Sequence, residues 1–217
     1  MKTLSQHYYS EIFTKASEAS SIKNLEKLVN ENLFLQKSIE DFRNKYPDIN
    51  LSISRNEVED AIQDDVLTNE HLLQINRRKP FSTLEKLLIA VVWKNGHITR
   101  VQSVVDGIIG ETKSKSDYGL IFRQFGKSLA YESEPIVDQH VLRAFHRFFY
   151  LKTDASKKFP DNRALNNSDE CLVNNYCAWF KGIISKVPKQ EQKLFCYQFD
   201  KILFAIGKAI KGIDVKN

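Results

Sequence analysis

The segment from Glu134 to Phe148 contains the polar residues whose types and spacing could support chemistry. Asp138 stands where a helix would begin, so its carboxylate could accept the first backbone N–H groups and meet the positive end of the helix dipole. On the helix that follows, His140, Arg143 and Arg147 align at steps of three and four residues and predict a basic face. A second, apolar stripe comprises Val137, Val141, Phe145, Phe148 and Phe149. A structural cap and a catalytic carboxylate are both compatible with Asp138.

The common catalytic signatures are absent from the rest of the sequence. There is no glycine-rich phosphate loop, no G-x-S-x-G elbow and no H-E-x-x-H zinc helix. The three cysteines, Cys171, Cys177 and Cys196, are odd in number and include no C-x-x-C pair. They favour reduced, buried thiols over a disulfide framework or a metal site. We therefore expect neither a cofactor nor a metal ion.

Charge is distributed unevenly along the chain, whose formal net charge is +5. Residues 1–70 contain 8 Lys/Arg and 13 Asp/Glu, a net charge of −5, and residues 71–217 contain 24 and 14, a net charge of +10. A basic C-terminal part is typical of proteins that bind a polyanion such as DNA. A solvated lysine-rich surface docked on an acidic N-terminal element fits the same counts. The acidic N-terminal helices could also bind a protein partner.

The composition favours an all-α, multi-helix globular protein. Eight glycines and five prolines are few for an all-β protein, which needs frequent turns. No apolar run has the length of a membrane span, and residues 1–10 lack the apolar centre of a signal peptide. We therefore expect a cytoplasmic protein that makes no membrane contact.

Hydrophobic periodicity predicts eight to ten helices and no convincing sheet. Ser82 and Glu85 form a capping box before a helix that runs to about residue 93; since this helix is apolar on nearly every side, a central position is expected. Gly96 and Gly110 are C-terminal signals of this helix and the next. The other helices are expected over residues 3–19, 22–46, two short stretches between 56 and 76, 117–132, about 135–148, one capped by Ser168, and 189–211.

Two segments resemble the helix-hairpin-helix DNA glycosylase superfamily, in the order found there. Pro80-Phe81, with the capped apolar helix that follows, looks like the start of that superfamily's helical core. Val137-Asp138-x-His140-Val141-x-Arg143 is similar to the superfamily's Val-Asp-Thr-His-Val-x-Arg segment, which contains the catalytic aspartate. The resemblance covers about residues 80–150 and implies an all-α body around a cleft.

The resemblance implies chemical roles for two residues. Asp138 would stabilise the positive charge that develops on the deoxyribose as the base leaves, or would orient the attacking water or amine. The base itself would be extruded from the stack into a pocket. In members that also cleave the strand, a lysine forms a Schiff base with the sugar, and the nearest counterpart in this chain is Lys127.

The same resemblance suggests which residues contact DNA. Arg147 could bind phosphate, and His140 and Arg143 could either bind phosphate or orient Asp138, although a pair on the helix surface is the simpler interpretation. His97 and Arg100, at the start of a helix, could line the same cleft; capping and solvent contacts explain them equally well.

The chain also departs from the superfamily pattern. The Leu-Pro-Gly-x-Gly hairpin is missing, and Gly126-Lys127 lies inside a predicted helix, 11 positions before Asp138. We therefore consider two functions: a DNA-binding protein that cleaves a base–sugar bond with aspartate assistance, and a non-catalytic module that binds nucleic acid or protein. We expect an acidic helical region over 1–70 and a basic helical domain over 71–217, with a glycosylase-like core at about 80–150 and further C-terminal helices.

Overall fold

Helices form nearly all of the regular structure in residues 6–46, 51–75, 80–113, 119–150, 159 and 165–211, the residues that this computed structural model describes. The ten α-helices of this part are α1 (Gln6–Ser17), α2 (Ile22–Asn30), α3 (Leu33–Lys45), α4 (Arg55–Gln63), α5 (Thr83–Lys94), α6 (Arg100–Ile109), α7 (Leu120–Ala130), α8 (Gln139–Phe145), α9 (Glu170–Ile184) and α10 (Gln192–Ile210). A π-helical turn, His146–Tyr150, continues α8. The predicted all-α fold is confirmed. The expected helix starts at residues 3 and 117 lie outside the described residues.

The chain divides into two units. Unit 1 comprises Met1–Asn50 and Glu132–Asn217, and unit 2 comprises Leu51–Tyr131. The domain boundary expected near residue 70 lies within unit 2, and residues 80–150 include parts of both units. A glycosylase-like core over these residues stays a prediction. Among the helices of the described part, none combines the length and the apolar content that crossing a bilayer requires.

Unit 1 is built around α10, which packs against α1, α2, α3, α8 and α9. Aromatic rings dominate its interior, because each buried ring removes a large apolar area from water. The fully buried rings are Phe145, Tyr176, Phe180, Phe195 and Phe199. At Gly207 the backbone of α10 touches that of α8: a Cβ at this position would overlap the carbonyl oxygen of His140. This crossing fixes where the start of α8 lies on α10.

The prediction of a single long helix over residues 22–46 is wrong. The chain breaks between α2 and α3, and Asn32 caps α3 by accepting the Leu35 N–H at 3.2 Å. The hydroxyl of Tyr8 on α1 donates to the same side-chain oxygen at 2.8 Å. An asparagine that bonds nearby backbone groups competes with the helix ladder, so the sequence starts a new helix at this point.

In unit 2, α6 and α7 also cross at glycines. A Cβ at Gly126 would overlap the Val104 carbonyl, and one at Gly107 would overlap the Arg123 carbonyl. The apolar cluster beneath this pair includes the buried residues Val58, Leu67, Val105, Ile108 and Ile109. Gly126 is therefore required for helix packing within unit 2.

Only one of the two helices expected between residues 56 and 76 forms. After α4, residues 64–75 turn through left-handed conformations at Asp65 and His71, with φ values of 60° and 63°. The His71 ring is buried and its Nδ1 lies 2.8 Å from Oδ1 of the buried Asp106 on α6. Asp106 also accepts the Lys113 N–H at 3.0 Å through Oδ2. This pair, which sequence reasoning missed, holds the turn on α6.

The central position expected for α5 is also wrong. Its capping box is present, since the Glu85 N–H donates to Ser82 Oγ at 3.3 Å and the Ser82 N–H donates to Glu85 Oε2 at 2.7 Å. However, one whole stripe of the helix faces solvent: Leu84, Leu87, Leu88 and Val91 are 65%, 61%, 57% and 61% exposed. Caps and periodicity define a helix, but they do not determine whether another element covers each of its faces.

We expect Gly126→Ala to destabilise the protein, because the added methyl group would push α7 away from α6. Overpacking of this kind costs about 1–3 kcal/mol. Urea unfolding measures the change. The matched control is Gly182→Ala on α9, where a Cβ would meet no atom within 4 Å and better helix propensity should stabilise the protein slightly. Equal effects of the two substitutions would contradict the close crossing.

Candidate functional site

Asp138 is the N-cap of α8. Its backbone is extended, with φ −131° and ψ 177°, and its Oδ1 accepts the Val141 N–H at 2.7 Å. An aspartate whose side chain bonds the N–H three residues later satisfies a donor that the first helical turn leaves unpaired. The capping role foreseen from the sequence is confirmed.

The segment before Asp138 is held by a buried carboxylate on α10. The Ile136 N–H donates to Asp200 Oδ2 at 3.0 Å, and the Tyr176 hydroxyl on α9 donates to Asp200 Oδ1 at 3.2 Å. Burial raises the pKa of Asp200 well above the ordinary value, because a charged carboxylate is costly away from water. Asp200 was not among the residues predicted from the sequence, although an aspartate within the apolar face of the last helix is a recognisable signal.

Arg143 does not lie on the exposed basic face that the sequence predicts for this helix. It is only 1% exposed, and its Nη1 donates to His140 Nδ1 at 2.9 Å and to the Gly207 carbonyl at 3.3 Å. Its guanidinium lies over the ring of Phe159, 5.0 Å from the centroid. The helix-surface interpretation is wrong for Arg143, because α10 covers this side of α8 at Gly207. Burial is also incompatible with a phosphate contact; the alternative role, that Arg143 orients Asp138, stays a prediction.

A cavity of about 280 Å³ opens beside Asp138. Three elements of unit 1 form its walls. The lining residues are Ser38, Asp41, Phe42, Lys45 and Tyr46 from α3 and its end, Asp138, Gln139 and His140 from the start of α8, and Phe204 and Lys208 from α10. Because α3 belongs to the acidic N-terminal region, nothing in the sequence linked its residues to Asp138.

Aromatic rings form the apolar part of this cavity. The centroid of Phe42 lies 4.9 Å from those of both Tyr46 and Phe204, and the His140 ring meets Phe204 edge-on at 4.8 Å. The ammonium of Lys45 lies 5.3 Å from the Tyr46 centroid. Rings that line a small cavity offer faces and edges against which a flat ligand can stack.

Besides Ser38 and Gln139, the polar side chains that line the cavity include two carboxylates, two lysines and one imidazole. Burial raises the pKa of Asp138, while the hydrogen bond from the Val141 N–H opposes the shift. Burial likewise lowers the pKa of His140, with Asp138 acting in the opposite direction and Arg143 adding to the decrease. Raised and lowered pKa values on neighbouring groups are typical of functional sites, although structural networks also produce them.

The remaining predicted site residues lie elsewhere. Arg147 donates from Nη2 to Gln6 Oε1 on α1 at 3.1 Å. His97 and Arg100 belong to unit 2, where both contact Phe122, with centroid distances of 6.0 Å for the His97 ring and 5.3 Å for the guanidinium carbon. Lys127 is exposed on α7, also in unit 2. Asp138, His140 and Arg143 are therefore the predicted residues that the structure brings together around one feature.

In the described part of the chain, no group of three or more His, Cys, Asp and Glu side chains is arranged to hold a metal ion. Comparisons with protein-family models, with curated proteins and with solved structures gave no match to this chain.

The variants Asp138→Asn and Asp138→Ala distinguish two effects of Asp138 on stability, that of its N-cap hydrogen bond and that of its negative charge. The folded-state pKa of Asp138 is raised, so its contribution to stability is complete below the unfolded-state pKa and is lost as pH rises through the folded-state pKa. Asparagine caps helices equally well and cannot ionise, so Asp138→Asn should gain stability relative to the wild type as pH rises from about 4, the ordinary aspartate pKa, through the raised pKa of the folded state.

The alanine variant should instead lose about 1 kcal/mol, the usual value of an N-cap. Urea unfolding of the three proteins across this pH range measures both effects. If the difference between wild type and Asp138→Asn does not change with pH, the carboxylate of Asp138 does not have a raised pKa.

Proposed function

We propose that this chain is a DNA-binding protein that removes a base by cleaving its N-glycosidic bond, with Asp138 as the catalytic carboxylate and the adjoining cavity as the base pocket. The observation that carries the proposal is that Asp138 lines a cavity together with Phe42, Tyr46 and Phe204. The resemblance of residues 80–150 to helix-hairpin-helix glycosylases supports the same function. The free thiols of the three cysteines fit the reducing cytoplasm, where we place this activity.

The size and lining of the cavity suit one flipped base. Its volume of about 280 Å³ is near the lower end of ligand pockets, so it fits a small planar group better than a large ligand. Stacking on aromatic side chains contributes about 1–3 kcal/mol per base, which helps to offset the cost of removing the base from the duplex. Phe42, Tyr46 and Phe204 are the rings that would provide it.

Asp138 would act on the sugar. As the bond between C1′ and the base nitrogen breaks, positive charge develops on the deoxyribose, and a fixed carboxylate stabilises that charge most in the transition state. Water then adds to C1′. The carboxylate must be ionised for this role, so the excision rate should increase as pH rises through the raised pKa of Asp138.

Lysines at the cavity would bind the phosphates of the flipped nucleotide. Lys45 lies at the end of α3 and Lys208 near the end of α10, and both side chains are exposed. The net charge of +10 over residues 71–217 adds a general attraction for DNA. Lys127 stays a candidate for a Schiff base with the sugar, and the acidic helices of residues 1–70 stay candidates for a protein contact.

The alternative is a non-catalytic helical module that binds nucleic acid or protein. One observation favours it: the bond from the Val141 N–H to Asp138 explains the aspartate as a cap without any chemistry. In that case the cavity would bind a base or another planar group, and the bound DNA would remain chemically unchanged.

Base release from DNA duplexes that contain a panel of damaged and mismatched bases tests the catalytic proposal. We expect the wild type to release at least one base and Asp138→Asn to reduce the single-turnover rate by about 100-fold or more, the usual effect of removing a transition-state charge contact. Since asparagine preserves the cap, the folded protein and its DNA affinity should be retained.

Two further variants complete this test. Lys186→Ala, an exposed lysine outside the cavity, is the control and should not alter the rate. Borohydride trapping of a covalent DNA complex, lost in Lys127→Ala, would identify the Schiff-base lysine. A wild type that binds DNA but releases no base from the panel would favour the non-catalytic module.

Salt dependence of DNA binding tests the phosphate contacts. Replacing Lys45 or Lys208 by glutamine should weaken binding to all sequences and reduce the slope of log K against log salt concentration by about 1 for each contact. Lys193→Gln, on the same helix as Lys208 but near its start, is the matched control. Slopes that do not differ from the control would place DNA away from the cavity.

A further inference from the structure

The partner of His140 defines the protonation state of its ring. Arg143 Nη1 lies 2.9 Å from His140 Nδ1, and a guanidinium carries only donors and keeps its charge in proteins. Nδ1 must therefore accept this hydrogen bond. A histidine that accepts at Nδ1 is the neutral tautomer with its proton on Nε2. Nη1 has a second hydrogen, which reaches the Gly207 carbonyl, so Nη1 can make these two hydrogen bonds at once.

The cavity limits what this tautomer can do. His140 lines the cavity two residues after Asp138, and its ring is held edge-on against Phe204 at 4.8 Å. Nδ1 is directed to the buried Arg143. Nε2, the second ring nitrogen, carries the proton in this tautomer, and its N–H is the polar group of the imidazole that a ligand in the cavity could use.

We propose that His140 donates a hydrogen bond from Nε2 to an acceptor atom of the base in the cavity and stabilises the charge that this base gains as it leaves. The inference rests on the proposed function. When the bond between C1′ and the base nitrogen breaks, its electron pair goes to the base, while the sugar becomes positive beside Asp138. Water oxygen then bonds to C1′ and releases a proton to solvent, and the base nitrogen takes a proton from solvent. His140 keeps its own proton throughout.

The two residues thus act on opposite ends of one bond. Asp138 stabilises the positive sugar, and a donor at His140 stabilises the negative base. A neutral imidazole suits this task because an imidazolium would pair with Asp138 and weaken its effect on the sugar.

The groups that face the ring determine whether it stays neutral. On α8 these are Asp138 and Arg143, on the end of α10 Lys208 and Lys211, and on α3 Asp41 and Lys45. Burial, the largest effect, lowers the pKa of His140, and the charges of Arg143 and Lys211 act in the same direction, whereas Asp138 and the nearby Gly207 carbonyl raise it. The net decrease agrees with the neutral form.

His140→Gln and His140→Phe test the donor directly. Glutamine restores a neutral N–H donor, whereas phenylalanine keeps the ring contact with Phe204 and offers no donor. We expect the single-turnover excision rate to decrease by about 100-fold or more in His140→Phe and by less than about tenfold in His140→Gln. The loss in His140→Phe should be larger for bases that are poorer leaving groups. Equal losses in both variants, or a loss independent of the leaving base, would overturn the proposal.

Nitrogen-15 NMR of the histidine ring separates this inference from the proposed function, because it needs no catalysis. We expect His140 in the wild type to be the Nε2–H tautomer near pH 7, and Arg143→Met to lose that preference. A charged ring or an Nδ1–H tautomer would overturn the inference even in an active enzyme. The expected tautomer in a wild type that excises no base would overturn the proposed function, and with it the catalytic role of His140.

Discussion

The backbone contact between α8 and α10 at Gly207 is the constraint on which the candidate site depends. Because a side chain at this position would overlap the His140 carbonyl, the two helices approach more closely than ordinary packing allows. Such proximity directs Arg143 between the helices and presents the Gly207 carbonyl to its guanidinium. It also places Phe204, about one turn before Gly207 on α10, and the adjacent Lys208 around the cavity beside Asp138.

Burying charge around this crossing is costly, and the structure offsets the cost with specific contacts. Arg143 bonds His140 and Gly207 and lies over Phe159, while Asp200 accepts from Ile136 and Tyr176. Pairs of buried charged groups contribute little net stability, yet removing one partner leaves the other buried without a compensating contact, which is destabilising. Their effect is to hold the chain before and after Asp138 in one position, which is the preorganisation that a carboxylate needs to stabilise a transition state.

Local signals in the sequence predicted much of the helical fold. Helix ends lie where the capping residues predict them, because capping depends on a few neighbouring residues. These residues are Ser82 with Glu85, Gly96, Gly110 and Asp138. Tertiary contacts decided the rest. The break at Asn32 involves a partner on α1, and the burial of Arg143 requires a glycine 64 residues away.

The exposure of α5 and the composition of the cavity depend on contacts between residues that are distant in the sequence. Four large apolar residues of α5 are exposed, although their periodicity is typical of a buried helix. Periodicity shows which residues share a face and not what covers that face. The cavity unites residues near positions 40, 140 and 205, and no motif spans such separations. Only Asp138 and its neighbours carried a signal, since their types and spacing resemble a known segment.

The cap on Asp138 is compatible with catalysis. Its bond to the Val141 N–H engages Oδ1, which fixes the rotation of the carboxylate relative to α8. A carboxylate that is already oriented loses little entropy when charge develops beside it, so the cap that stabilises the helix also prepares the group for the sugar. Burial has the opposing effect, because it raises the pKa of Asp138 and so disfavours the ionised form. The helix N-terminus reduces this conflict, because its N–H groups stabilise the same negative charge that burial disfavours.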